Sequence, residues 1–370
     1  GRGEGHLGKE RRGDSKAPIR GRSNRPLVLL DVRPLQGVDA RRGIGTYTLG
    51  LLRALCAAGE GRRLALLVDA GLSLPELPEP GLQVYGVRRR YHGRLAAYED
   101  AVSLPSDLAR IRPALYHATT LALPAGAPCP VVATLHDLIP WAYGGPRMWG
   151  ERFRFLVGRR QLKGARLVLA VSEATGRDAV RLAGVRPERL RVIPEAAEPD
   201  FRPAEGAGDR VRERWGLDRP YLLYVGALDA RKDPKGLLRA WRAAQAAGAE
   251  VPLVLAGEAG AQAPASMEGA VRLGYLERPQ LVDVLGAAGC LVFPSRYEGF
   301  GLPVLEAMAC GCPVAAYANS SLVEVGAGAA RLVKDGDSEA LGRAAAELIL
   351  DRRLAAEARA RGLERARTYS

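Results

Sequence analysis

The chain has 370 residues, 47% of them hydrophobic, and carries 54 Lys and Arg against 41 Asp and Glu, for a formal net charge of +13. Such a length calls for two domains, and no apolar run approaches the ~18 residues that would point to a membrane span. Cys56, Cys129, Cys290, Cys310 and Cys312 are an odd, scattered set inside apolar segments, which excludes a disulfide framework and points to a reducing compartment.

In chain order, the first 25 residues hold eight basic and three acidic side chains and no apolar centre. Residues 1–24 therefore read as a disordered basic tail, not a secretory signal. Elsewhere arginine is dispersed among acids and alanine, with six lysines in the whole chain. No zinc-finger spacing or aromatic RNA-binding strand accompanies it, so nucleic acid is not an expected partner. A residual basic surface instead suits an anionic membrane or a phosphorylated acceptor.

From Pro26 strands and helices alternate. "PLVLLDV" reads as a strand, and "GIGTY", with Gly43 and Gly45, as a glycine turn entering an amphipathic helix. "RLALLVD", "LQVYGV", "ALYHAT" and "CPVVATLHDL" are further strands, the last delivering His136 and Asp137 to its end; His117 ends the one before it. After "RLVLAVS", Ser172 is placed to cap a helix running to Ala183. "LRVIPEAAEPDFRP" leads into a Pro-rich acidic stretch and sets the domain boundary near residue 200.

The second half starts afresh. "YLLYVGALDARKDPKG" is a strand ending at Gly226, followed by a loop bearing Arg231 and Lys232 and a helix with Asp233 as cap and Pro234 in its first turn. "VPLVLAG", "VRLGY" and "CLVFPS" supply more strands. The segment "RYEGFGLPVLEAMACGCPV" then places Glu298 in a Gly-rich loop, Pro303 in a first helical turn and Glu306 early in that helix, with Gly311 and Pro313 ending it. A helix start aims free N–H groups and a positive dipole end at an anion, and two adjacent cations at a neighbouring strand end suit a diphosphate. Carboxylates beside them can take sugar hydroxyls. The alternation argues for two doubly wound parallel α/β domains, whose ligands lie beyond the carboxyl ends of the strands. Cys310-Gly311-Cys312 lacks a second ligand pair and reads as a helix end. In Asp335-Gly336-Asp337, Asp337 reads as a helix cap, so no metal site is expected.

These motifs, in this order, resemble the retaining glycosyltransferases of the family-4 type, with the GT-B fold of two facing Rossmann-like domains. The likeness runs from about Pro26 to the end. "PSRYEGFGLPVLEAMACGCPV" carries the E-x7-E pattern as Glu298 and Glu306, and "GALDARKD" resembles the R-K-N loop of a branch in which many members transfer mannose. "HDLIP" and "GIGTY" resemble the first-domain loops that face the donor. The resemblance implies that Glu306 holds the nucleotide ribose, and that Glu298 with Gly299, Phe300, Gly301 and Leu302 contacts donor sugar and phosphates. Arg231 and Lys232 would neutralise the departing diphosphate, in a loop that begins at Gly226. His136 would lie by the sugar, and Gly43 and Gly45 would admit the first-domain backbone to the phosphates. Ala227 stands where many members have arginine, and Asp233 where asparagine is usual.

The expectation is therefore a metal-independent hexosyltransferase without a cofactor, acting on a nucleoside diphosphate sugar such as GDP-mannose and a glycan or lipid-linked acceptor. It would be cytoplasmic, peripheral at the inner membrane face. Residues 25–199 would form the acceptor-side domain and 200–352 the donor domain, with 353–370 a helix returning to the first. The competing expectation is a non-catalytic nucleotide-sugar binder that has kept the fold.

Overall fold

The computed structural model describes residues 27–37, 40, 42–90, 95–143, 149–218, 220–258 and 269–369. The basic tail lies outside the described residues. The first domain runs β1 (Val28–Asp31), α1 (Gly43–Ala57), β2 (Leu64–Asp69), β3 (Gln83–Val87), α2 (Ala96–Ile111), β4 (Leu115–Ala118), β5 (Val131–Leu135), α3 (Ile139–Ala142), α4 (Trp149–Gln161), β6 (Leu167–Ala170), α5 (Glu173–Ala183) and β7 (Leu190–Val192). Its seven strands are parallel, in the order β3-β2-β1-β4-β5-β6-β7.

Between Val192 and Ala207 the chain crosses to the second domain. There follow α6 (Ala207–Trp215), β8 (Leu222–Val225), α7 (Pro234–Ala246), β9 (Leu253–Ala256), β10 (Val271–Gly274), α8 (Arg278–Ala287), β11 (Cys290–Phe293), α9 (Leu302–Ala309), β12 (Val314–Ala318), α10 (Leu322–Val325), β13 (Arg331–Lys334), α11 (Ser338–Leu350) and α12 (Arg352–Arg367). Six parallel strands lie in the order β10-β9-β8-β11-β12-β13.

The strand sequences follow from this layering. β2, β8, β9 and β11 are buried at every residue, because helices cover both faces of a parallel sheet. Edge strand β10 alternates half-buried with exposed residues. The caps lie where the local chemistry places them: Ser172 Oγ accepts from Thr175 N at 3.0 Å, and Asp337 accepts from Ala340 N at 2.9 Å. The α9 side chains Val304, Leu305 and Met308 enter the second core, each stabilising it by about 2 kcal/mol.

The sequence suggests a last helix that returns to the first domain; in the structure that helix packs on the second: Gly362 lies against Met308, Arg365 Nε donates to Val325 O at 3.2 Å, and the Tyr369 ring meets Phe300 edge-on at 5.7 Å.

Strand order reverses between β1 and β4 in one sheet and between β8 and β11 in the other. Crevices for ligands form at the carboxyl ends of strands at such points. The loops after β8 and β11 carry Arg231, Lys232 and Glu298, so the second sheet brings these three to its own switch point.

Candidate functional site

Two short loops build the second-domain rim. After β8, the Asp229 carboxylate accepts from Arg231 N at 3.0 Å and Lys232 N at 3.2 Å, which winds one tight turn and sends both basic side chains under the neighbouring loop. Asp233 then adopts a left-handed φ of 47° and caps α7 through Gly236 N at 2.9 Å. After β11, the backbone N–H of Arg296 donates to Arg231 O at 2.9 Å, tying the loops together.

Glu298 is the centre of this rim. Its Oε1 accepts from Arg231 Nη1 at 2.8 Å, from Ser295 Oγ at 2.5 Å and from Lys232 Nζ, while Arg231 Nη1 also reaches Tyr297 O at 2.7 Å. Oε2 has no hydrogen bond among the described residues. Burial pushes the Glu298 carboxyl up, but Lys232 and Arg231 together outweigh it and hold the group below the usual carboxylate range. Burial likewise draws the Lys232 ammonium below its ordinary value, against the pull of Glu298. The ammonium also lies 4.6 Å from the centre of the Phe293 ring. The cations are thus not free: they share one carboxylate.

Beyond Glu298 the chain makes a sharp bend. The backbone N–H groups of Gly299, Phe300, Gly301 and Leu302 have no acceptor among the described residues. Gly301, at φ 103°, turns the chain into α9. Four unanswered donors at a helix start, next to Arg231 and Lys232, form a cradle for an anion. Phe300 supplies backbone alone, because its side chain turns into the core. Glu306, one turn on, is buried, and its carboxylate has no hydrogen-bond partner among the described residues. Burial raises its carboxyl to about 7, with Glu198 and Glu195 adding to the rise and Arg278 opposing it.

The first domain closes over this bend. A Cβ at Gly299 would lie 1.9 Å from His136 O, so only glycine fits there. Its carbonyl accepts from Ser172 Oγ at 2.5 Å and Thr175 Oγ1 at 3.0 Å, and the Tyr297 hydroxyl donates to Asp178. Glu324 caps α5 from across the divide, accepting from Glu173 N at 2.9 Å and Ala174 N at 3.1 Å. Gly43 faces Leu302, 3.9 Å from where its Cβ would stand, and Gly45 is buried; both belong to the first turn of α1 rather than to a turn before it. Gly226 starts the β8 loop against Gly257.

His136 has both ring nitrogens engaged. Nε2 lies 3.1 Å from Thr119 O and Nδ1 lies 3.0 Å from Glu195 Oε1. Ser295, Thr119, Glu195, Glu198 and Thr175 do not stand out in the sequence, and Ser172 stands out there as a helix cap alone. A signal was present for Glu195 and Glu198, the two acids of "PEAAEP", but nothing local said which groups they meet.

Family profiles match both halves: the one described as glycosyltransferase family 4 covers residues 41–201, and glycosyl transferases group 1 covers residues 208–367. The chain belongs to the family-4-type glycosyltransferases of the GT-B fold. The transferase is 29% identical to O-antigen chain mannosyltransferase B of Escherichia coli over 357 residues, 89% of this chain and 92% of the relative. It is 23% identical to the serotype-specific mannosyltransferase WbdA of Escherichia coli over 80% of this chain, spanning only 41% of that longer protein. Among solved structures, Anabaena HepE in complex with UDP and glucose superposes with a TM-score of 0.73 at 19% identity, over 93% of this chain and 95% of that one. Sucrose-phosphate synthase from Thermosynechococcus elongatus does so at 0.74 and 23%, with the same coverage. At these identities the likeness speaks for the fold.

Proposed function

We propose that the transferase moves a hexose, mannose being the leading candidate, from a nucleoside diphosphate sugar such as GDP-mannose to a hydroxyl of a glycan or lipid-linked acceptor, with retention at the anomeric carbon. The observation that carries this reading is the set of unanswered N–H groups at Gly299–Leu302 beside Arg231 and Lys232. The names of the two Escherichia coli mannosyltransferases support the sugar, and the UDP and glucose bound to HepE support a nucleotide-linked donor.

In this reading the anomeric C–O bond to the diphosphate breaks and negative charge grows on the departing oxygens. Lys232, Arg231 and the start of α9 stabilise it without needing a metal ion. The acceptor oxygen bonds to the same face of the sugar, and its proton passes to the leaving phosphate oxygen. Glu306 takes the ribose hydroxyls, and the free Oε2 of Glu298 is available to the sugar. His136 presents its backbone carbonyl and ring edge to the cleft. Closure of Gly299 onto His136 excludes water from the donor.

On the first domain, Trp149 and Phe153 are exposed on α4 and Tyr143 lies nearby, while Trp141 is half-buried with Arg159 5.2 Å from its ring. Exposed aromatics on a basic chain suit a headgroup layer, which supports a lipid-borne acceptor at an anionic membrane surface. No helix among the described residues is long and apolar enough to cross a membrane.

Calorimetric titration against GDP-mannose, UDP-glucose and the free nucleotides tests the donor. Tight binding of one nucleotide sugar, followed by NMR of the product's anomeric configuration, is the expected result. Absence of binding to every nucleotide sugar would overturn the reading, and an inverted product would overturn retention.

A further inference from the structure

The crossover between the domains carries two buried carboxylates, and they act on different partners. Glu198 is held between the domains: Arg53 of α1 donates to it at 2.8 Å, and Arg278 of α8 donates twice, at 2.6 and 2.5 Å. Three residues earlier, Glu195 reaches the other way, to His136.

The hydrogen-bond chemistry of His136 limits what it can do. Thr119 O is a carbonyl and only accepts, so Nε2 carries the proton that bridges the 3.1 Å between them. Nδ1 faces a carboxylate oxygen of Glu195 at 3.0 Å, within hydrogen-bond reach. The Tyr47 ring meets the imidazole edge-on, with centroids 4.7 Å apart at 84°, and the Tyr47 hydroxyl is anchored on Thr134 Oγ1 at 3.1 Å. Thr134 Oγ1 in turn contacts His117 Nε2 at 2.9 Å. Both ring nitrogens and one side of the ring are therefore fixed. With side-chain exposures of 13% for His136 and 6% for Glu195, water competes little for this bond.

Resting on the reading above, we propose that Glu195 is a positioning residue: it holds the His136 ring in one orientation, and so couples the interdomain crossover to the cleft wall that faces the donor. His136 follows β5 directly and its carbonyl packs against Gly299, so the ring and the anion cradle share one wall. The arrangement leaves neither ring nitrogen free for an acceptor hydroxyl. His136 then contributes a fixed shape to that wall, with Glu195 setting it. Because Glu198 is clamped to both domains only three residues away, any change in domain separation must also move Glu195.

Two readouts on full-length protein test this. The first follows the His136 ring signals by NMR at neutral pH, assigned by comparison with H136Q. Glu195→Ala removes the partner of Nδ1, so the ring signals should shift and their cross-peaks to the Tyr47 ring should weaken by about twofold or more as the imidazole leaves its single orientation. Glu195→Asp keeps a carboxylate at this position and should recover at least half of that change. The second readout is transfer at neutral pH: E195A should lower kcat about tenfold with donor KM changed less than about twofold. Unchanged His136 ring signals in E195A would overturn the proposal, as would altered signals with unaltered kcat. If the wild type shows no transfer at all, the proposed function fails, and the NMR signals alone then decide whether Glu195 sets the orientation of His136.

Discussion

The two rims of the cleft use buried charge in opposite ways. On the first-domain side, Arg33 bonds Asp31 at 2.8 and 2.6 Å and Asp100 at 2.6 Å, Arg89 pairs with Asp100, and the Tyr116 hydroxyl donates to Asp31 at 2.8 Å. Two cations answer two carboxylates, so the network is neutral and its groups are engaged with one another. On the second-domain side, two cations converge on a single oxygen of Glu298, and a row of backbone N–H groups beside them goes unanswered. A satisfied network holds the chain in place, whereas an incomplete one is prepared for something that completes it. Under the proposed function, the first rim supports the fold and the second binds the ligand.

The harshest test of that assignment is Lys232→Ala. It removes a charge-neutralising group from the anion cradle and strips a buried carboxylate of a partner. Transfer rate should fall more than about 100-fold and folding stability by about 3 kcal/mol in urea titration. A variant retaining a fifth of wild-type turnover would mean the second rim is structural too. Asp31→Asn, the matching change on the other side, should cost about 2–3 kcal/mol in stability because Arg33 loses its bidentate partner. The folded variant should bind the donor within twofold of wild type. Burial raises the Asp31 carboxyl, but Arg33 outweighs it and leaves the group below its ordinary 3.8, so its contribution is present at neutral pH and disappears as pH falls through that lowered value. Weaker donor binding in D31N would move the first rim into the ligand site.

Glu306 sharpens the comparison through pH. Its carboxyl titrates at about 7 in the folded chain against an ordinary 4.5, so the folded state holds the proton more tightly. The resulting stability is complete below pH 4.5 and is lost as pH rises through about 7, the reverse of the Asp31 case. A carboxylate accepting from ribose hydroxyls must be ionised, so donor affinity should rise about tenfold between roughly pH 6 and 8. Glu306→Gln should bind weakly and show no such rise. Equal pH dependence in the variant would remove Glu306 from the nucleotide.

The same contrast explains what the sequence revealed. Sheet class, strand ends and the caps at Ser172, Asp233 and Asp337 depend on residues within a few positions of each other, and their chemistry can be read locally. So can the second rim, because Glu298, Gly299–Leu302 and Glu306 are contiguous and Arg231–Lys232 sit at a strand end. The first rim is different. Asp31 meets Tyr116 across 85 positions and His136 meets Glu195 across 59, and no local pattern announces such partners. The pairing of Lys232 and Arg231 with Glu298 is hidden for the same reason: the sequence sets the two cations against a diphosphate and does not show that they share one carboxylate.

Asp233 gives the smallest and most discriminating expectation. It caps α7 in a left-handed conformation at φ 47°, which Asp and Asn tolerate better than other side chains with a Cβ. Alanine would lose both the cap and that tolerance, costing about 1–2 kcal/mol. Asparagine, usual at this position among the transferases this chain resembles, keeps both, so Asp233→Asn should stay within about 0.5 kcal/mol of wild type with unchanged donor affinity. The substitution removes a negative charge that, after that of Asp335, helps hold the Arg296 guanidinium at the edge of the Glu298 loop in its charged form, against the pull of burial. A larger stability loss in D233N, measured by urea titration, would show that Arg296 depends on Asp233, and the boundary between cap and binding rim would then run one residue further along the chain.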